Sequence, residues 1–152
     1  MAEQDRERLF LDASALVAGA ISPPGGSGYI LLLGEMGSVD ILVCEQVLVE
    51  TRRALEKKAP RALPEFERII RSVIPRVCPE PTLTEIAACQ EIIHPDDAPI
   101  LAVAMKARPD SLITLNTHHF TDDPQVAQKS GLRIETPGAY LTRRRQRLES
   151  MG

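Results

Sequence analysis

Short apolar runs alternate with amphipathic stretches along the whole chain. Leu9-Phe10-Leu11 is uniformly apolar, too short for a helix of its own, and closed by Asp12, which predicts a buried strand. Ala13 to Val17 then predicts a short helical segment, and Pro23-Pro24-Gly25-Gly26-Ser27-Gly28 a flexible loop. Tyr29 to Leu33 suits a helix that stops near Gly34 or Gly37, and Val39 to Cys44 a second strand. From Glu45 to Lys58, Val47, Leu48, Thr51, Ala54 and Leu55 share one helical face while Arg52, Arg53 and Lys57 share the other. Pro60 ends that helix.

Leu63 to Val73 predicts another helix, broken by Pro75, and Arg76-Val77-Cys78 a short strand before Pro79 and Pro81. Thr84 to Ile93 is helical again. His94-Pro95-Asp96-Asp97-Ala98-Pro99 opens the most apolar helix, Ile100 to Ala107, whose lack of a polar face predicts burial. Ser111 to Leu115 reads as a strand ending at Asn116, followed by a histidine-bearing turn, a helix at Pro124 to Lys129 and a last strand around Leu132-Arg133-Ile134. Pro137 starts a C-terminal helix running into Arg143-Arg144-Arg145-Gln146-Arg147. This alternation predicts an α/β fold, a parallel sheet covered by helices on both faces. In open sheets of that kind functional groups collect beyond the carboxyl ends of the strands, where strand order reverses. Asp12 and Asn116 stand at two such ends.

The 152 residues amount to one domain, without internal repeat or linker; residues 1–142 are expected to form it and residues 143–152 a basic tail. Eighteen Lys and Arg against 21 Asp and Glu leave a net charge of −3 and a pI near 5.6, so no whole-molecule cationic field exists to attract a polyanion. Nucleic-acid contact would then come from a local basic patch or through cations held on carboxylates. Aromatic residues are only 3%, with no Trp, which leaves few base-stacking platforms. The three cysteines form no C-x-x-C pair and sit in or beside apolar runs, which points to a reducing, cytoplasmic compartment. The polar start Met1 to Arg8 carries mixed charge, and no apolar stretch approaches the ~20 residues of a membrane span, so neither secretion nor membrane insertion is expected.

Several residues are candidates for chemistry. Asp12 directly after a buried strand suits either an N-cap or a metal ligand, and this position alone favours neither. Ser14 would help by capping or by orienting a bound water. Glu50 lies at the border of its helix's apolar face; taken alone it reads as a surface glutamate pairing with Arg53. Asp96 and Asp97 occupy the first turn of the apolar helix, where the helix dipole favours negative charge; capping explains one, and two adjacent carboxylates make more sense if they share a cation. His118 and His119 invite a zinc site, but adjacent residues rarely point at one ion and only His94 remains to complete it. They read instead as loop residues, solvated or available to phosphate. The glycine-rich loop lacks the Gly-Lys-Ser/Thr ending of a phosphate-binding P-loop. Ser14, where a dehalogenase-type phosphoaspartyl hydrolase has a second aspartate, disfavours a covalent aspartyl mechanism.

In order and context the chain resembles the PIN-domain nucleases, the family that includes VapC-type toxin ribonucleases. The resemblance runs through Phe10-Leu11-Asp12-Ala13-Ser14, the Glu50 helix, Asp97-Ala98-Pro99-Ile100-Leu101-Ala102-Val103-Ala104, Thr114-Leu115-Asn116 and Phe120. It implies a three-layer α/β/α sandwich with a central parallel sheet, and acidic residues gathered at one sheet edge to bind Mg²⁺ or Mn²⁺. Asp12, Glu50 and Asp97 match the family's acidic positions. Asn116 falls where many members have a fourth aspartate; it can accept or orient but adds no charge. Ser14, Asp96 and Thr114 take supporting roles in this reading. The implied reaction is hydrolysis of RNA phosphodiesters by metal-activated water, in keeping with the oxygen preference of hard divalent ions. The family's toxins are commonly dimers inhibited by a cognate antitoxin, which implies a homodimer and an antitoxin as partners. Arg52, Arg53, Lys57, Lys58, Arg61, His118, His119 and the Arg143–Arg147 tail are candidate phosphate contacts, and equally a solvated face. The tail is alternatively a partner-binding helix. A different class of function, a nucleic-acid-binding or regulatory module without turnover, is motivated by Asn116 and the acidic pI.

Overall fold

In a computed structural model that describes residues 6–152, five parallel strands form one sheet in the order β3-β2-β1-β4-β5. The strands are β1 (Glu7–Leu11), β2 (Val39–Cys44), β3 (Arg76–Cys78), β4 (Ser111–Ile113) and β5 (Ile134–Glu135). The helices are α1 (Ala13–Ile21), α2 (Gly26–Glu35), α3 (Glu45–Lys58), α4 (Leu63–Val73), α5 (Leu83–Gln90), α6 (Ala98–Ala107), α7 (Thr117–Phe120), α8 (Pro124–Ser130) and α9 (Pro137–Met151). They flank the sheet to give the three-layer α/β/α arrangement expected of it. Met1 to Asp5 of the polar start lie outside the described residues.

β1 is the central strand because its apolar run can be covered on both faces: Leu9, Phe10 and Leu11 are fully buried. It pairs with β2 on one side (Leu9 opposite Ile41) and with β4 on the other (Leu11 opposite Ile113). Cys44 and Cys78 face each other in register on β2 and β3, both buried and both free. α6 is as buried as its composition demands, with Ile100 to Ala104 all inside. Ile74 after α4 and Arg108 after α6 take the left-handed conformation (φ 51° and 52°), each before a proline that disfavours continuing the helix. Among the described residues no single helix is long and apolar enough to cross a membrane.

β4 ends at Ile113 and not at Leu115, β5 is shifted to Ile134–Glu135, the histidine-bearing turn is the short helix α7, and two further readings change. The second half of the expected loop at Pro23–Gly28 is helix: α2 begins at Gly26, three residues before Tyr29. Gly28 is there for closeness, since a Cβ on it would stand 1.9 Å from the Pro23 carbonyl oxygen. The boundary expected at residue 143 falls inside α9, one helix from Pro137 to Met151 capped by Thr136. Three of its four arginines turn inward: Arg143 pairs with Glu135, and Arg144 and Arg147 with Glu7, whereas Arg145 is exposed beside Glu149.

Candidate active site

The sheet order reverses between β1 and β4, so the chain leaves these neighbouring strands in opposite directions and opens a crevice at their carboxyl ends. Asp12 and Thr114 stand one residue beyond the two strands. The Asp12 amide donates to the Ile113 carbonyl at 3.2 Å, so the pairing extends to the site itself. Asp12 is only 6% exposed. Its Oδ1 accepts from the Ala15 amide (3.1 Å), capping α1, and from Ser14 Oγ (2.6 Å). Its Oδ2 accepts from Thr114 Oγ1 (2.5 Å). The carboxylate that caps α1 thus stands at the carboxyl end of β1.

Ser14 and Thr114 hold the two strand ends together. Ser14 Oγ accepts from the Leu115 amide (2.9 Å), and Thr114 Oγ1 accepts from the Asn116 amide (2.9 Å). Each hydroxyl therefore spends its proton on Asp12 and its lone pairs on the chain after β4. Burial pushes the Asp12 carboxyl above the ordinary range; Ser14, Thr114 and the Ala15 amide oppose that, and the charge of Asp97 adds to it. Among the described residues no Lys, Arg or His forms an ion pair with Asp12.

Asp97 precedes α6 and its carbonyl accepts the Leu101 amide, yet its side chain makes no capping bond. Instead Asp97 Oδ2 is hydrogen-bonded to His119 Nδ1. His119 is placed by Asn116, whose side chain caps α7 by accepting the His119 amide (3.4 Å). His94, in the turn before α6, stacks on His119 with ring centroids 4.5 Å apart and planes 5° from parallel. One ligand atom from each of His94, Asp97 and His119 falls within 4.8 Å of the others; among the described residues this is the set of three such side chains brought so close, and it could hold a metal ion. His118 leans against His119 at 5.0 Å and stays outside it. An open cleft of about 290 Å³ runs past His94, His118, His119 and Asp123.

The other expected residues fall nearby or apart. Asp96 has an 84% exposed side chain, 3.7 Å from His94 Nδ1, and its amide donates to that nitrogen (3.1 Å). Glu50 is half-buried on α3, and its carboxylate accepts from Gln46 Nε2 (2.9 Å), outside the group around Asp97. Arg52 is bound to Glu67 (2.8 Å) and lies over the Phe66 ring, whereas Arg53 is exposed. His94 and His119 as a pair escaped sequence reasoning. The signals present were a histidine three residues before Asp97 and one three residues after Asn116.

The sequence pattern that defines PIN domains matches residues 8–118, which include Asp12, Ser14, Glu50, Asp97, Thr114 and Asn116. The chain belongs to the PIN-domain family. The members of this family are generally nucleases that need a metal ion, and PIN domains bind nucleic acids. This PIN domain also superposes on the crystal structure of PAE2754 from Pyrobaculum aerophilum, with a TM-score of 0.60 at 23% identity over 91% of this chain and 88% of that one. That likeness concerns the fold. No curated protein matches this PIN domain.

Proposed function

We propose that this chain is a divalent-metal-dependent endoribonuclease hydrolysing RNA phosphodiester bonds at the crevice beyond β1 and β4. The observation that carries the reading is Asp12, a buried carboxylate with no cationic side chain paired to it among the described residues, whose deprotonation Asp97 opposes further. Such a carboxylate is incompletely compensated by hydroxyl and amide donors, and a bound cation would complete it. The donor set fits Mg²⁺ or Mn²⁺. A carboxylate offers about four lone-pair positions; three on Asp12 are filled, leaving one on Oδ2. Asp12 and Asp97 would hold the ion, with Glu50 and Asn116 reaching it directly or through water. When bound, the ion lowers the pKa of a water and offsets charge developing on the phosphoryl group.

The chain's own residues do the positioning. Ser14 and Thr114 fix both oxygens of Asp12, so the carboxylate meets its target without reorganising. Exposed Arg53 and His118 are available to phosphates, while Arg52 is held by Glu67. We extend the reading to a toxin restrained by an antitoxin and acting as a homodimer in the cytosol. It is supported by the family resemblance, by apolar side chains exposed on α2 and α9 (Tyr29, Leu32, Leu148, Met151), and by three free cysteines. The test is cleavage of RNA with and without Mg²⁺ or Mn²⁺. The parent is expected to cut, and Asp12→Asn and Asp97→Asn to remain folded and not cut; parental rates in either variant would refute the assignment.

A second reading, an RNA-binding module without turnover, is favoured by two observations: Asn116 adds no charge and caps α7, and Glu50 is engaged by Gln46. It predicts RNA binding that is insensitive to divalent ions, and metal-dependent cleavage would exclude it.

A further inference from the structure

We infer that His94, Asp97 and His119 form a two-imidazole, one-carboxylate site for a first-row transition ion, with preference for Zn²⁺, Fe²⁺ or Ni²⁺ over Mg²⁺. It shares Asp97 with the nuclease reading and is argued without it. The three side chains come from two separate turns, one before α6 and one in α7, yet one ligand atom from each lies within 4.8 Å of the others. Imidazole nitrogen suits zinc, copper, iron and nickel, whereas Mg²⁺ takes oxygen ligands and gives up water reluctantly. A pair of histidines beside one carboxylate is therefore a different donor set from the carboxylates expected to hold Mg²⁺.

The surroundings fit ligation. Asp97 Oδ2 and His119 Nδ1 point at each other and are hydrogen-bonded, so an ion entering the group takes the place of the proton between them. The Asp96 amide donates to His94 Nδ1 (3.1 Å), which holds that ring beside His119. Asn116 caps the helix that carries His119, and the cleft past His94, His118 and His119 leaves an entry path and open coordination positions. His94 is exposed and His119 half-buried, so an ion can reach both.

The experiment is titration of the ion-free chain with Zn²⁺ and, separately, Mg²⁺ by calorimetry, with imidazole NMR on the parent under Zn²⁺. The chain has three histidines, so each ring can be followed. One Zn²⁺ per chain is expected, bound at least about tenfold more tightly than Mg²⁺ and weakened about tenfold or more by His94→Ala or His119→Ala. The His94 and His119 resonances should shift together, His118 much less, and His118→Ala should bind Zn²⁺ as the parent does. Equal affinity for the two ions, or a Zn²⁺ response centred on His118, would overturn the site. Asp12→Asn separates the two readings: it should retain Zn²⁺ binding whatever it does to RNA. Zn²⁺ bound by a parent that cuts no RNA would sink the nuclease reading and leave this site standing.

Discussion

Replacing Glu7 with glutamine tests whether the arginine-rich end of the chain is a stabilising part of the domain. Glu7 has a side chain only 16% exposed, at the start of the central strand. Its Oε1 accepts from Tyr140 Oη (2.6 Å), Arg147 Nη2 (2.9 Å) and Arg144 Nη1 (3.3 Å), and its Oε2 from Arg147 Nη1 (3.1 Å). Burial alone would push its carboxyl up. The bonds from Arg147 and Tyr140 and the charges of Arg147 and Arg143 outweigh that and hold it at about 2, against an ordinary 4.5. The gap corresponds to about 3 kcal/mol favouring the folded chain. A carboxyl depressed by folding contributes fully above 4.5, and the contribution disappears as pH falls through about 2. At pH 3 roughly 1.4 kcal/mol remains.

Glu7→Gln keeps the shape and loses the charge, and it turns an amide N–H₂ toward arginine donors. At pH 7 the variant should be less stable by about 3 kcal/mol, a fall in Tm of roughly 6–12 °C for a domain of this size. The assay is urea unfolding followed by far-ultraviolet circular dichroism, parent against variant, at pH 7 and pH 3. Every other titrating group is common to both proteins, so the difference isolates Glu7. Equal stability at pH 7, or a difference that does not shrink by at least half at pH 3, would refute the reasoning. Either would release Arg144 and Arg147 to be read again as free phosphate contacts.

Asp12 should behave in the opposite sense. Its carboxyl is raised chiefly by burial, so its deprotonation opposes folding and stability falls as pH rises above 3.8. Asp12→Asn is expected to raise the Tm of the ion-free chain at pH 7, because the Thr114 hydroxyl can accept from the new amide; a lower Tm in EDTA would count against this. Two glycines make a matched pair: Gly28→Ala places a Cβ 1.9 Å from a backbone oxygen and should cost at least ~2 kcal/mol in urea unfolding. Gly138→Ala in α9 meets nothing within 4 Å and should gain about 0.5–1 kcal/mol; a neutral Gly28→Ala would show that the Pro23 turn moves aside.

The layered fold was legible because each buried strand is a short apolar run and each helix has its own face and its own stop; β1, β2, α3 and α4 follow the pattern almost residue for residue. Gly26 and Gly28 misled because glycine marks freedom and close contact alike, and only the Pro23 backbone distinguishes them. The Arg143–Arg147 run misled for a related reason: charge clusters are usually solvated, and the partner that buries this one, Glu7, lies more than 130 residues away. Asp12 and Thr114 are 102 residues apart, yet Asp12 directly follows one strand visible in the sequence and Thr114 lies near the end of another. One further fact, that β4 lies beside β1, brings Asp12, Ser14 and Thr114 together without any side-chain information. His94 and His119 have no such route. Their contact depends on the turn through Pro95 and on the Asn116 cap, and a parallel sheet specifies neither. That is why the carboxylate at the strand end could be anticipated from residue order, while the imidazole pair beside Asp97 had to be seen.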